Sequence, residues 1–67
     1  MIQMTNAAID CIRETGCDPN EDVDAILGGR MTASDLRFTC LDGADADRVQ
    51  GWRDYIAAVL SAVEARS

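Results

Sequence analysis

The stretch 45-DADRVQGWRDYIAAVLSAVEARS-67 decides the fold. Apolar side chains recur at Val49, Trp52, Ile56, Val59, Leu60 and Val63, a spacing of threes and fours held over four turns. That period belongs to one stripe of an α-helix, with Tyr55 on its flank. Asp45 fits the cap position, so the spacing predicts a helix over 46–65. Gly51 interrupts an otherwise good helix former. Glycine inside a helix costs about 1 kcal/mol relative to alanine, so its presence argues for a close helix contact at that point.

Three shorter helices precede this one, each with its own start signal. Thr5 or Asn6 can cap a helix over 6–15, with Met4, Ala8, Cys11, Ile12 and Thr15 on one stripe and Gly16 in the left-handed position that ends it. The run 17-CDPNEDVD-24 supplies the second start. Asp18 is an N-cap residue, Pro19 suits the first helical position, and Glu21 stands three after the cap, as in a capping box. This helix is expected over 19–27, with Val23, Ile26 and Leu27 inward, before Gly28-Gly29. The third start is Thr32 with Asp35 at the third helical position and Met31 placed to staple onto Leu36. It predicts a helix over 33–41, with Leu36, Cys40 and either Phe38 or Leu41 facing the core. The segment 37-RFTCL-41 is the one candidate strand, and it lies behind a strong helix start. The expected fold is therefore all-α: a compact bundle of four helices in a single domain, 1–67, with the last helix longest.

Trp52, Ile56, Val59, Leu60 and Val63 are the expected centre of the core, joined by Val23, Ile26, Leu27, Leu36, Ile12 and Cys11. A chain of 67 residues has room for one such core. Domains of this size bury only about 60% of their unfolded surface. Cys11, Cys17 and Cys40 are an odd set, read as small buried or turn residues. A disulfide between Cys11 and Cys17 or between Cys17 and Cys40 is the alternative. Tyr55 to Leu60 is the longest uncharged apolar run, far below the ~20 residues that span a bilayer. No basic-then-apolar leader is visible, so a cytoplasmic location and no membrane association are expected.

Several chemistries conflict with the composition. Histidine is absent, and the commonest general base with it, so no enzymatic activity is expected. Structural zinc wants four Cys or His ligands, and three thiols stand alone. The segment 42-DGADAD-47 has closely spaced carboxylates, but an EF-hand needs glycine at position six and glutamate at twelve; here glycine is second and residue 53 is Arg. No metal or other cofactor is expected. The segment 25-AILGGRMTASDLRF-38 has the outline of a helix-turn-helix, yet it falls in the acidic part of the chain, where phosphate would be repelled. Direct nucleic-acid binding is not expected. An acyl-carrier reading requires Asp-Ser-Leu, and 34–36 read Ser-Asp-Leu.

Charge placement carries the functional expectation. The chain has twelve acids, six arginines and a net charge of −6. Residues 18–47 hold eight acids against Arg30 and Arg37, so this segment alone carries −6. Single-sign fields attract partners of opposite sign and speed their association. Extended positive surfaces belong above all to nucleic-acid-binding proteins, so Glu21, Asp22, Asp24, Asp35, Asp42, Asp45 and Asp47 are the expected partner-binding set. Asp18 is committed to its helix.

In its size, its acidity, its lack of lysine and the runs 18-DPNEDVD-24 and 41-LDGADAD-47, the whole chain resembles phage-encoded anti-CRISPR proteins, several of which mimic DNA. A monomer is expected, with a homodimer as the alternative. The resemblance implies a non-enzymatic inhibitor in the host cytoplasm. It would bind a CRISPR-Cas surveillance complex at the positive surface that receives target DNA. The alternative is an antitoxin-like or regulatory adaptor, in which the apolar stripe of the last helix binds a partner or a second copy.

Overall fold

The computed structural model describes residues 2–67, which contain four helices and no strand: α1 (Asn6–Thr15), α2 (Pro19–Leu27), α3 (Ala33–Leu41) and α4 (Val49–Arg66). The molecule measures 32 × 23 × 17 Å. Its architecture is a long central helix with three short ones around it: α1, α2 and α3 each pack on α4.

The first three helices begin where local chemistry places them. Thr5 is extended, and its Oγ1 accepts the Ala8 N–H at 3.2 Å. Gly16, at φ +74°, closes α1 by donating its N–H to the Ile12 carbonyl at 2.7 Å, a conformation that favours glycine. Asp18 caps α2 by accepting the Asn20 N–H at 2.9 Å, two residues on, so it acts as a simple cap without the expected partnership of Glu21. Thr32 and Asp35 form the full reciprocal box on α3. Asp35 N–H donates to Thr32 Oγ1 and Thr32 N–H to Asp35 Oδ2, both at 3.1 Å. Residues 37–41, the candidate strand, are helical.

α4 departs from expectation at its start. It begins at Val49 rather than at residue 46, and Asp45 does not cap it. Residues 45–48 form a turn in which the Arg48 N–H donates to the Asp45 carbonyl at 2.9 Å. Arg48 holds that turn against α1. Its Nε donates to Glu14 Oε2 at 3.0 Å and its Nη2 to Glu14 Oε1, while its carbonyl faces the Cys11 thiol at 3.8 Å. A forked guanidinium–carboxylate pair fixes orientation as well as distance, and this one ties the start of α4 to α1.

Gly51 explains why α1 and α4 lie so close. A Cβ at this position would stand 2.6 Å from the Ala7 carbonyl oxygen and 2.7 Å from Cys11 Sγ. The close helix contact expected from the glycine is present.

The core consists of Ala8 and Cys11 from α1, Val23 from α2, Leu36 from α3, and Trp52, Tyr55, Ile56 and Val59 from α4. Tyr55 is fully buried rather than on the flank, and its ring meets Trp52 edge to face, with centroids 5.5 Å apart. Ile12, Ile26, Leu60 and Val63 are only partly buried, at the margin of the core. Leu27 is exposed, because it is the last residue of α2, beyond the stretch that reaches α4. Leu41 takes the inner position on α3, and Phe38 points outward with 70% of its surface exposed.

Candidate protein-binding surface

Most of the expected binding residues lie where solvent reaches them. Glu21 and Asp24 are exposed on α2, Asp35 at the start of α3, and Asp42, Asp45 and Asp47 along the connection from α3 to α4. Asp24 pairs with Arg66 of α4, Oδ1 to Nη1 at 3.2 Å, with both side chains more than half exposed. Such surface pairs contribute little to stability, in the range of ~0–1 kcal/mol. Asp35 gives one carboxylate oxygen to the Thr32 N–H and remains exposed. Among the described residues, Glu21, Asp42, Asp45 and Asp47 have no cationic partner.

Asp22 is different. It is half-buried, and its Oδ2 accepts the Tyr55 hydroxyl. A buried phenol needs an acceptor, since leaving its O–H unpaired costs about 1–3 kcal/mol. Asp22 supplies it from across the α2–α4 contact. Burial, with this hydrogen bond and the charge of Asp22, pushes the Tyr55 pKa above its ordinary value. Asp22 is therefore a structural acceptor first, and its carboxylate is less free than those of its neighbours. Tyr55 stands one turn after Trp52, but nothing local in the sequence names its acceptor, which lies 33 positions earlier.

Other acids also serve the fold. Asp54 on α4 accepts the Thr5 hydroxyl at 2.7 Å and Gln50 Nε2 at 2.9 Å, tying the cap of α1 to α4. These two bonds hold its carboxyl below the usual range. Glu14 is engaged by Arg48.

The three cysteines are free thiols. Cys11 is buried, and the Thr15 hydroxyl contacts both the Cys11 carbonyl, at 2.9 Å, and Cys17 Sγ, at 3.2 Å. Burial, with the charges of Cys17 and Asp22, pushes the Cys40 thiol up to about 11. At neutral pH it is a protonated, weakly nucleophilic group.

Two hollows mark the surface. One, of about 350 Å³, lies between α3 and α4 and is lined by Arg37, Leu41, Arg53, Ile56, Ala57 and Leu60. The other, of about 260 Å³, is lined by Ile2, Asn20, Ala62, Ala65 and Arg66. Neither is lined by a carboxylate, and no group of three or more Cys, Asp or Glu residues among those described is arranged to hold a metal ion. Within the described residues, no helix is long and apolar enough to cross a membrane. Comparison with protein-family models, with curated proteins and with solved structures finds no match.

Proposed function

We propose that this chain is a non-enzymatic binding protein whose exposed carboxylates occupy a cationic, nucleic-acid-binding surface on a partner protein and thereby exclude the nucleic acid. One observation carries the reading: of the exposed carboxylates with neither an ion pair nor a hydrogen bond among the described residues, Glu21, Asp42, Asp45 and Asp47 lie within residues 18–47 and two, Asp10 and Glu64, outside them, where Glu14 and Asp54 are spent on internal contacts. Glu21, Asp24, Asp42, Asp45 and Asp47 form the contact set, with Asp35 at its margin. Asp22 acts through the fold. Carboxylates that face solvent without a cation stand where phosphates would and need shed no internal partner on binding. A CRISPR-Cas surveillance complex, with its channel for target DNA, is the first partner to test, since it is the target that the resemblance to small acidic inhibitors implies.

The test is charge reversal. Asp45→Lys with Asp47→Lys alters two exposed side chains that make no hydrogen bond, so stability should stay within about 0.5 kcal/mol. Capture of purified complexes, with duplex DNA as competitor, should show slower association, by roughly tenfold, and weaker salt dependence. Asp10→Lys with Glu64→Lys makes the same change in net charge at exposed positions elsewhere. If both double variants bind alike, position is irrelevant and the acids serve only solubility.

A further inference from the structure

The hollow between α3 and α4 combines apolar side chains with cationic ones, in a protein of net charge −6. It is lined by Leu41, Ile56, Ala57 and Leu60 and by two arginines, Arg37 from α3 and Arg53 from α4. Arg48 and Arg66 are engaged with Glu14 and Asp24, whereas Arg37 and Arg53 have no carboxylate partner among the described residues. In a chain of net charge −6, two unpaired cations line one apolar groove. Phe38, 70% exposed, follows Arg37 on α3.

The geometry points to a docking groove for an amphipathic helix of a partner protein, whose apolar side chains enter the groove and whose carboxylates meet Arg37 and Arg53. Along α4 the lining runs from Arg53 to Leu60, about 10 Å at 1.5 Å per residue, which matches two turns of an incoming helix. Its volume also fits. An enclosed apolar cavity of roughly 150 Å³ holds benzene, so about 350 Å³ accepts two or three aliphatic side chains at helical spacing.

Charge and shape decide between occupants. A free acyl chain would leave much of its surface wet in an open groove, whereas small-molecule sites bury about 70–90% of their ligand. A second copy docked groove to groove would crowd the guanidinium groups of both copies together, a like-charge contact, and a copy that instead inserts Phe38 is distinguished by the concentration dependence tested below. An acidic amphipathic helix satisfies both the apolar side chains and the arginines. None of the carboxylates of the proposed function lines this groove, although Asp42 directly follows Leu41, and charge reversal at Asp45 and Asp47 tells the two readings apart.

Two synthetic helical peptides test it, each with Leu at i, i+3, i+4 and i+7, one flanked by Glu and the other by Lys. Titration into isotopically labelled protein should shift the backbone amides of Ala57 and Leu60, with the Lys peptide roughly tenfold weaker. Arg37→Glu with Arg53→Glu should reverse the preference, and Arg37→Gln with Arg53→Gln should remove it. Ala57→Trp, at an exposed position, should fill the groove and block the Glu peptide. Asp45→Lys with Asp47→Lys should leave peptide binding unchanged. Equal affinity for the two peptides, or no binding of either, overturns the proposal. So does decanoate shifting the same amides at lower concentration than the Glu peptide. Concentration-dependent shifts of these amides in the protein alone also overturn it, in favour of a second copy.

Discussion

Gly51→Ala sets two magnitudes against each other. In an isolated helix the change is favourable by about 0.8–1 kcal/mol, because alanine gives up less backbone freedom. Here the new Cβ would stand 2.6 Å from the Ala7 carbonyl oxygen, 2.7 Å from Cys11 Sγ and 3.0 Å from the Ala7 carbonyl carbon. Two of these atoms are backbone, and the third belongs to a fully buried side chain. None can swing aside. Ordinary carbon contacts lie near roughly 3.5–4.0 Å, so α1 must retreat from α4 by on the order of 1 Å. That movement would loosen Ala8 and Cys11 and stretch the Arg48–Glu14 pair; with three contacts violated at once, the overpacking cost lies in the upper part of the usual range, about 2–3 kcal/mol. Packing wins. The net loss should be about 1–2 kcal/mol, a substantial share of the ~3–10 kcal/mol expected for a domain this small. Thermal melting by circular dichroism should show Tm falling by roughly 5–15 °C. Ser61→Ala, exposed on the same helix, should leave Tm nearly unchanged. An equal or higher Tm for Gly51→Ala would refute the close approach of α1 and α4.

Two further outcomes follow from hydrogen bonds in the core and at a cap. Tyr55 is held protonated in the fold, and Cys40 is raised from 9.0 to about 11, so above about pH 9–10 the unfolded chain releases protons that the native chain retains. Their contribution is complete below the unfolded pKa values and is lost as pH rises through the folded ones. Urea melts should show stability falling above about pH 9, and Tyr55→Phe should lower stability near neutral pH by about 1 kcal/mol while reducing the alkaline loss. A Tyr55→Phe protein with an unaltered alkaline slope would contradict this. Thr32→Ala removes one arm of the capping box and should cost about 1 kcal/mol in the same melts, with the contacts of α4 preserved.

Local and distant chemistry divide what the sequence reveals. The starts of α1, α2 and α3 were legible because each rests on a side chain and a backbone N–H at most three residues apart. The start of α4 was not, because it is tied to α1 through Arg48 and Glu14, 34 positions earlier, a contact that no local pattern around Asp45 announces. The inward turn of Tyr55 was hidden for the same reason: the acceptor that allows its burial, Asp22, is 33 positions away. This bond also removes Asp22 from the freely exposed acids, a distinction that charge counting cannot make. On α3, Phe38 and Leu41 are equally apolar, and only packing against α4 selects Leu41. The groove lined by Arg37 and Arg53 required two helices to be placed side by side before its residues became neighbours.

The distribution of polar contacts bears on why the acids are there at all. A net charge far from zero destabilises a compact chain through self-repulsion, and a small domain has little stability to spare. This fold contains devices that neutralise acids: Arg48 on Glu14, Arg66 on Asp24, Thr5 and Gln50 on Asp54, and the caps at Asp18 and Asp35. Among the described residues, no ion pair or hydrogen bond reaches the carboxylates of Asp42, Asp45 or Asp47, three within six residues of one connection. Nor are these three needed to start α4, which opens on Arg48 without a side-chain cap. Their mutual repulsion is thus offset in the free protein only where Arg48 lies near Asp47. A cationic partner would relieve that repulsion, and the relief would add to binding without any rearrangement of the fold.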